Sequence, residues 1–273
     1  MDDPSRTKTA GAIRTPSPSR FRPEGRIGTE ALRENRKLFE AIERRGVLRG
    51  SLSLGALMML GGCDITNDRS VQGVLQAVSS WNDKVQGWLF SPDRLAPTYT
   101  EAEVLKPPRF NAFYDVEEVK PVDAGTWRLE LAGLVGDKRP WTARQIAELP
   151  EQEIIIRHIC VEGWDYIGQW SGVNLRHFLE RVGADLSAKY VAFRCADSYS
   201  GSIDMPTALH PQTILATKYA RDPIADPYGF PLRLRTATKL GFKNPKWITA
   251  IEVTNNYPGG YWEDRGFNWF SGI

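Results

Sequence analysis

The chain has 273 residues, of which 25% are charged, 41% hydrophobic and 11% aromatic, and its formal net charge is +2. Residues 1–62 hold twelve Lys and Arg against seven Asp and Glu, a net +5, whereas residues 63–273 are left with a net −3, so no basic stripe with interleaved aromatics marks the later part as a nucleic-acid binder. Three cysteines (Cys63, Cys160 and Cys195) are too few and too scattered for a disulfide scaffold, and no run of about 20 apolar residues after residue 62 is long enough to cross a membrane.

Residues 1–30 are rich in Ser, Thr, Pro, Arg and Gly and lack apolar periodicity, which predicts disorder. The pair Arg44-Arg45 then precedes the apolar stretch Ser51–Leu60 and resembles a twin-arginine export signal. At about 1.5 Å per residue that stretch is too short to span a bilayer. It ends Leu60-Gly61-Gly62-Cys63-Asp64, which resembles a lipobox, with Cys63 as the acylated residue and Asp64 as an inner-membrane retention signal. An uncleaved N-terminal anchor is the other reading. Twin-arginine transport carries folded proteins, so the leader implies a cofactor inserted before export, to the periplasmic side of the inner membrane. The expected division is a leader over 1–62, a helix and linker over 63–106, and a single domain over 107–273.

Val71, Val74, Leu75, Val78, Trp81, Val85, Trp88 and Leu89 recur at steps of three and four and predict an amphipathic helix. Packing against the domain and contact with a membrane or partner are both open for its apolar face, although its polar face has few Lys and Arg. Residues 91–109 contain four prolines and predict an extended linker. Short strands are expected over Trp127–Leu131, Glu153–Ile159, Tyr190–Phe193, Pro231–Arg235 and Trp247–Val253. Short helices are expected after the capping box Thr142-x-x-Gln145 and over Leu175–Val182 before Gly183. Many short strands with a few short helices predict an α+β fold.

Cys160 ends the β-branched run Ile154–Ile159 and precedes a Gly- and Trp-rich stretch, Val161-Glu-Gly-Trp164 through Gly168, Trp170 and Gly172, read as a loop at a pocket. A soft thiolate there suits a metal. Other readings stay open: an inert buried thiol, a disulfide with Cys195, a zinc site with His158, Cys195 and His210, or a nucleophile paired with His158 or His210.

The run Arg157-His-Ile-Cys160-Val-Glu-Gly-Trp164 resembles the metal-binding segment of the sulfite oxidase family of molybdopterin enzymes, especially its periplasmic methionine-sulfoxide reductase catalytic subunits. The resemblance continues in Phe110-Asn111-Ala-Phe-Tyr114-Asp115, Lys189–Phe193, Leu209-His210-Pro211, Pro231-Leu-Arg233-Leu and Gly241-Phe-Lys243-Asn-Pro-Lys246, covering roughly residues 107–255 in family order. It implies a sulfite-oxidase-type α+β domain binding a molybdenum-molybdopterin cofactor, with Cys160 as metal ligand and catalytic residue. By matching positions, Asn111, Tyr114 and Asp115 touch the cofactor, and Arg233 with Asn244, Pro245 and Lys246 hold its pterin and phosphate. Cys195 stands where the reductases have Thr, and Tyr228 where they have Asn; both are placed at the pterin. The resemblance also implies oxygen-atom transfer, a small-molecule or protein-bound oxide substrate and a membrane cytochrome b as electron partner, since no Cys-x-x-Cys-His haem motif is present. Sulfite oxidases have an Arg in the segment after the cysteine; Val161-Glu-Gly-Trp164 has none, which favours a neutral oxide over sulfite. The chain ends soon after the pterin stretch, so a monomer is expected. From another functional class, a membrane-tethered electron-relay subunit without turnover of its own is the alternative.

Overall fold

The computed structural model describes residues 69–273. The expectations for residues 1–62, Arg44-Arg45 and Cys63 lie outside the described residues. The first element is helix α1 (Arg69–Leu89). The strands form two sheets in a mixed α+β arrangement. The first runs β2 (Trp141–Thr142), β1 (Arg128–Gly133), β10 (Ile248–Thr254), β5 (Tyr190–Cys195), β6 (Ser200–Asp204). The second runs β3 (Glu151–Ile159), β4 (Asp165–Asn174), β7 (Thr213–Tyr219), β8 (Asp222–Pro223), with β9 (Arg233–Thr236) also on β7. Only β1 and β10 pair in parallel among the described strands; the other pairs are antiparallel.

Three short helices connect these strands: α2 (Ala143–Ala147), α3 (Leu175–Arg181) and α4 (Met205–Ala208). The expected capping box opens α2. Thr142 Oγ1 accepts from Gln145 N at 3.2 Å, and Gln145 Oε1 accepts from Thr142 N at 2.9 Å. On α3, Leu175, Phe178 and Leu179 are buried in a core shared with Leu129, Val191, Phe193 and Ile251 from the first sheet. A second, smaller core gathers Ile154, Ile156, Tyr166, Trp170 and Tyr219 on the second sheet.

One expectation is corrected. The Gly- and Trp-rich stretch after Cys160 is a loop only as far as Trp164; Asp165–Asn174 is β4, which pairs with β3 along its length and with β7 on its other side. Its glycines are strand residues because neighbours press against them. A Cβ at Gly172 would overlap the Leu215 carbonyl oxygen, and one at Gly168 would lie 2.6 Å from Trp170 Nε1. Glycine in a strand interior marks this kind of close approach.

The proline-rich segment before residue 109 is extended apart from a 3₁₀ turn at Glu101–Glu103, and it is pinned to the body. Ala96 exchanges two hydrogen bonds with the Gln212 side chain, at 2.8 and 3.0 Å. Tyr99 N donates to Ile155 O at 3.2 Å, and Leu105 N to Ile167 O at 3.0 Å. His210, which stands in one of the family-like motifs, is fully buried beneath this segment. Its Nδ1 accepts from Gln212 N at 3.1 Å, so Nε2 carries the proton and donates to Arg94 O at 3.1 Å.

Candidate functional site

Alternation along β3 places the site's thiol. Ile154, Ile156 and His158 face inward while Glu153 and Arg157 face solvent, and Cys160 continues the buried set one step past the strand end. A tight turn follows: Gly163 N donates to Cys160 O at 3.1 Å, and Cys160 N donates to Trp164 O at 2.9 Å. Gly163 turns the corner at φ 88°, where a side chain would be strained. Burial pushes the Cys160 thiol above its ordinary range, while the backbone N–H groups of Glu162 and Val161 pull the other way.

Cys160 opens on a cavity of about 300 Å³. Val161 and Glu162 line it beside the thiol, and Asn111 with Asn244, Pro245 and Lys246 line it elsewhere. Its aromatic wall comes from Phe113, Tyr199, Phe242, Trp262 and Phe267. Phe113 stacks on Tyr261 at 4.5 Å, and Tyr199 Oη donates to Phe242 O at 2.6 Å, which ties the wall to the β5–β6 hairpin.

Three buried cations next to this cavity, Lys246, Arg233 and Arg235, have no carboxylate bonded to them among the described residues. Lys246 Nζ donates to Asn111 O at 2.6 Å and lies 4.4 Å from the centroid of the Phe110 ring. Arg233 Nη1 donates to Tyr228 O at 2.8 Å, while its Nε has no partner. Gly229 brings Lys246 and Arg233 close together: a Cβ there would stand 3.0 Å from Lys246 Cβ and 3.2 Å from Arg233 Cβ. Arg235, two residues along β9, is fully buried, with Nε and Nη2 unpartnered. Both guanidinium groups lie over Trp170, at 4.6 and 5.1 Å from its centroid.

Arg235 Nη1 sits 2.7 Å from His158 Nδ1. Guanidinium is only a donor, so Nδ1 is the acceptor and the proton of neutral His158 is on Nε2. Burial and the nearby cations push His158 well below its ordinary value and keep it neutral. Its Nε2 has no partner and lies against Gly241, where a Cβ would come within 2.7 Å.

Burial, then Arg233, lowers Lys246 from 10.5 to about 7. Without an anion, therefore, the unfolded chain keeps a proton between about pH 7 and 10.5 that the folded chain has lost, and stability rises with pH across that window. The difference in melting temperature between cofactor-free wild type and Lys246→Met should climb in favour of wild type from pH 7 to about pH 9. A flat difference would mean that Lys246 keeps its proton in the fold.

The site residues expected from sequence are brought together only in part. Asn111, Cys160, Asn244, Pro245 and Lys246 line the cavity. The Asn244 side chain is already engaged: its Oδ1 accepts from Thr236 N at 2.8 Å, and its Nδ2 donates to Leu240 O at 3.1 Å. Arg233 and Tyr228 meet beside Lys246. Tyr114 belongs to an adjoining cavity of about 590 Å³ that shares Phe113 and Asp197 with the first. Tyr114 Oη donates to Asp197 Oδ2 at 3.0 Å, and burial beside that carboxylate raises the phenol. Asp115 is exposed at the start of a 3₁₀ turn, Val116–Glu118.

Cys195 is buried at the end of β5; both it and Cys160 are free thiols, so the disulfide reading does not hold. Among the described residues no three His, Cys, Asp or Glu side chains come together as a metal-binding group, which removes the zinc reading. Sequence reasoning missed Asp197, Tyr199 and Arg235. For Arg235 a signal existed: arginines two apart on a short strand share one face, and here that face is buried.

A family model described as the oxidoreductase molybdopterin-binding domain matches residues 116–262. The chain is 53% identical over 247 residues to a protein of Azospira oryzae provisionally named protein-methionine-sulfoxide reductase subunit YedZ1, covering 90% of this chain and 94% of that one. It is 30% identical over 154 residues to the protein-methionine-sulfoxide reductase catalytic subunit MsrP of Campylobacter jejuni, covering 50% and 52% of the two chains. With the subunit of the same name from Xanthomonas axonopodis pv. citri, identity is 35% over 131 residues, covering 42% and 41%. The match thus spans about half or less of those two catalytic subunits. The solved sulfane dehydrogenase SoxCD of Paracoccus pantotrophus aligns at 18% identity with a TM-score of 0.48, over 50% of this chain and 40% of that one.

Proposed function

The chain belongs to the family of oxidoreductase molybdopterin-binding domains, and from that premise we propose that it is an exported molybdenum oxidoreductase acting by oxygen-atom transfer. In this reading the Cys160 thiolate ligates the metal, and electrons are exchanged with a membrane cytochrome b. The observation that carries it is a buried thiol and a buried lysine, Cys160 and Lys246, lining one cavity, with Arg233 buried beside Lys246 and only partly partnered. A buried guanidinium left with unpartnered donors is costly unless an anion completes it. Arg233, with its free Nε, and Lys246, held only by backbone carbonyls, suit a phosphate-bearing pterin.

When bound, the cofactor supplies a two-electron metal centre that exchanges an oxygen atom with substrate. The chain's own residues do the rest. Cys160 gives up its proton to become a thiolate, which a nearby metal cation favours over the buried thiol. Arg233 and Lys246 neutralise the phosphate. Phe113, Phe242 and Trp262 exclude water and present an apolar surface to the substrate. Glu162, also in the lining, repels an oxyanion and leaves a neutral oxide favoured. A sulfoxide, free or on a protein, meets that requirement and accords with the names of the relatives.

The test is molybdenum counted per purified chain, followed by turnover of S- and N-oxides with a chemical reductant. About one metal per chain and reduction of a sulfoxide are expected. Lys246→Glu, which sets a carboxylate in place of the ammonium, should lower cofactor retention by about tenfold or more, the penalty of turning one attraction of at least 1.4 kcal/mol into repulsion. Unchanged metal content in that variant would remove Lys246 from the site. Metal without turnover of any oxide would favour the electron-relay alternative.

A further inference from the structure

Helix α1 is amphipathic, and it is attached to the protein by its polar side. Asp83 Oδ1 accepts from Phe270 N at 2.8 Å. Gln86 Oε1 accepts from Gly272 N at 3.1 Å, and Gln86 Nε2 donates to Asn268 Oδ1 at 3.3 Å. The C-terminal tail thereby fixes which way the helix faces. Its apolar stripe is turned out: Leu75, Val78, Trp81, Trp88 and Leu89 are between 54% and 82% exposed. A helix normally hides such a stripe against its own core, and contiguous exposed apolar surface of this kind marks an interaction site.

We propose that this stripe binds a lipid bilayer, with α1 lying in the plane of the membrane interface. Trp81 and Trp88 are seven residues apart and share one side of the helix. Indole rings, apolar in body and polar at the N–H, concentrate at the headgroup boundary. From Gly73 to Leu89 the only charged residues are Asp83, which bonds to the tail, and Lys84. With so few cations on its polar face, insertion of the stripe would rest on burial of its apolar side chains and not on attraction to anionic lipid. The place where the preceding chain would be anchored fits as well. Cys63, the lipobox-like cysteine, is six residues before the first residue of α1, so an acyl chain there keeps the helix within roughly 20 Å of the bilayer. The inference does not depend on the molybdenum reading.

The experiment uses the full chain carrying Cys63→Ala, which cannot be acylated, with vesicles of pure phosphatidylcholine. The protein should float with the vesicles, and its tryptophan emission should shift to the blue. Adding Trp81→Glu and Trp88→Glu should lower partitioning by about tenfold or more, because carboxylates replace the inserting rings. Circular dichroism and metal content should stay as in the parent. The inference is overturned if the parent stays in the aqueous fraction. It is overturned if both proteins float equally, which would assign lipid binding to Ser51–Leu60. It is also overturned if the parent forms a lipid-free dimer that the Glu variant loses, or binds only vesicles that contain a partner protein. A chain that floats as expected but never holds molybdenum sinks the oxidoreductase reading and leaves this one standing.

Discussion

Replacing Glu263 by Ala is expected to destabilise the protein by about 3–5 kcal/mol, read as a fall in the denaturant midpoint at unchanged slope. Glu263 opens a 3₁₀ turn between Trp262 and Phe267, two members of the cavity wall. Its carboxylate pairs with Lys243, which closes the turn Gly241–Lys243, and both side chains are about 1% exposed. Burial lowers Lys243, and Glu263 is the largest influence opposing it. Once the carboxylate is gone, the ammonium is left beside the Trp269 ring at 5.0 Å, uncompensated and out of water. Apolar replacement of both partners, as in Lys243→Met with Glu263→Leu, should recover most of the loss, because neither charge then needs desolvation. A single-variant cost below about 1 kcal/mol would show that water reaches Lys243. The pair also ties the turn that carries Phe242 to the turn that follows Trp262, and both of those rings line the cavity and contact Phe267.

The strand leading to Cys160 was readable because three consecutive isoleucines sit at its centre and the thiol comes at its end. Its partner β4 was not, because Gly168 and Gly172 carry the local signature of a loop. They are glycines for a reason that only the packed sheet supplies, the crowding by Trp170 and Leu215. Motif resemblance points to Lys246 and Arg233, whereas it does not reach Arg235. Its burial depends on Trp170 and His158, which are 65 and 77 residues away in sequence. Tyr199, Trp262 and Phe267 reach the cavity from a hairpin and a C-terminal segment with no periodic pattern of their own, so nothing local announced them. For α1 the period was plain in the sequence. Which side docks was decided by Asp83 and Gln86 meeting the backbone of the tail, a choice that period alone leaves open.

Cys160→Ser is expected to abolish turnover while leaving a folded protein that retains part of its cofactor. A thiolate donates electron density to molybdenum and gives sulfur-to-metal charge-transfer absorption; a serine hydroxyl is a harder donor with a much higher pKa. In the proposed reading Arg233 and Lys246 hold the phosphate independently of the sulfur, so part of the cofactor should stay bound. The variant should lose the visible band and lower turnover by well over 100-fold, more than the roughly 10–100-fold that loss of an outer-shell partner costs. Cys195→Ser is the control. That thiol is free, and burial pushes it well above its ordinary value, so it acts as a small apolar group. Its replacement should cost only the roughly 1–3 kcal/mol of burying a hydroxyl and should leave the spectrum intact. If Cys160 were likewise a structural thiol, the two variants would behave alike. Absorption and paramagnetic resonance spectra, with molybdenum counted per chain, distinguish the cases, and a Cys160→Ser protein with an unchanged spectrum and full turnover would remove the thiolate from the metal.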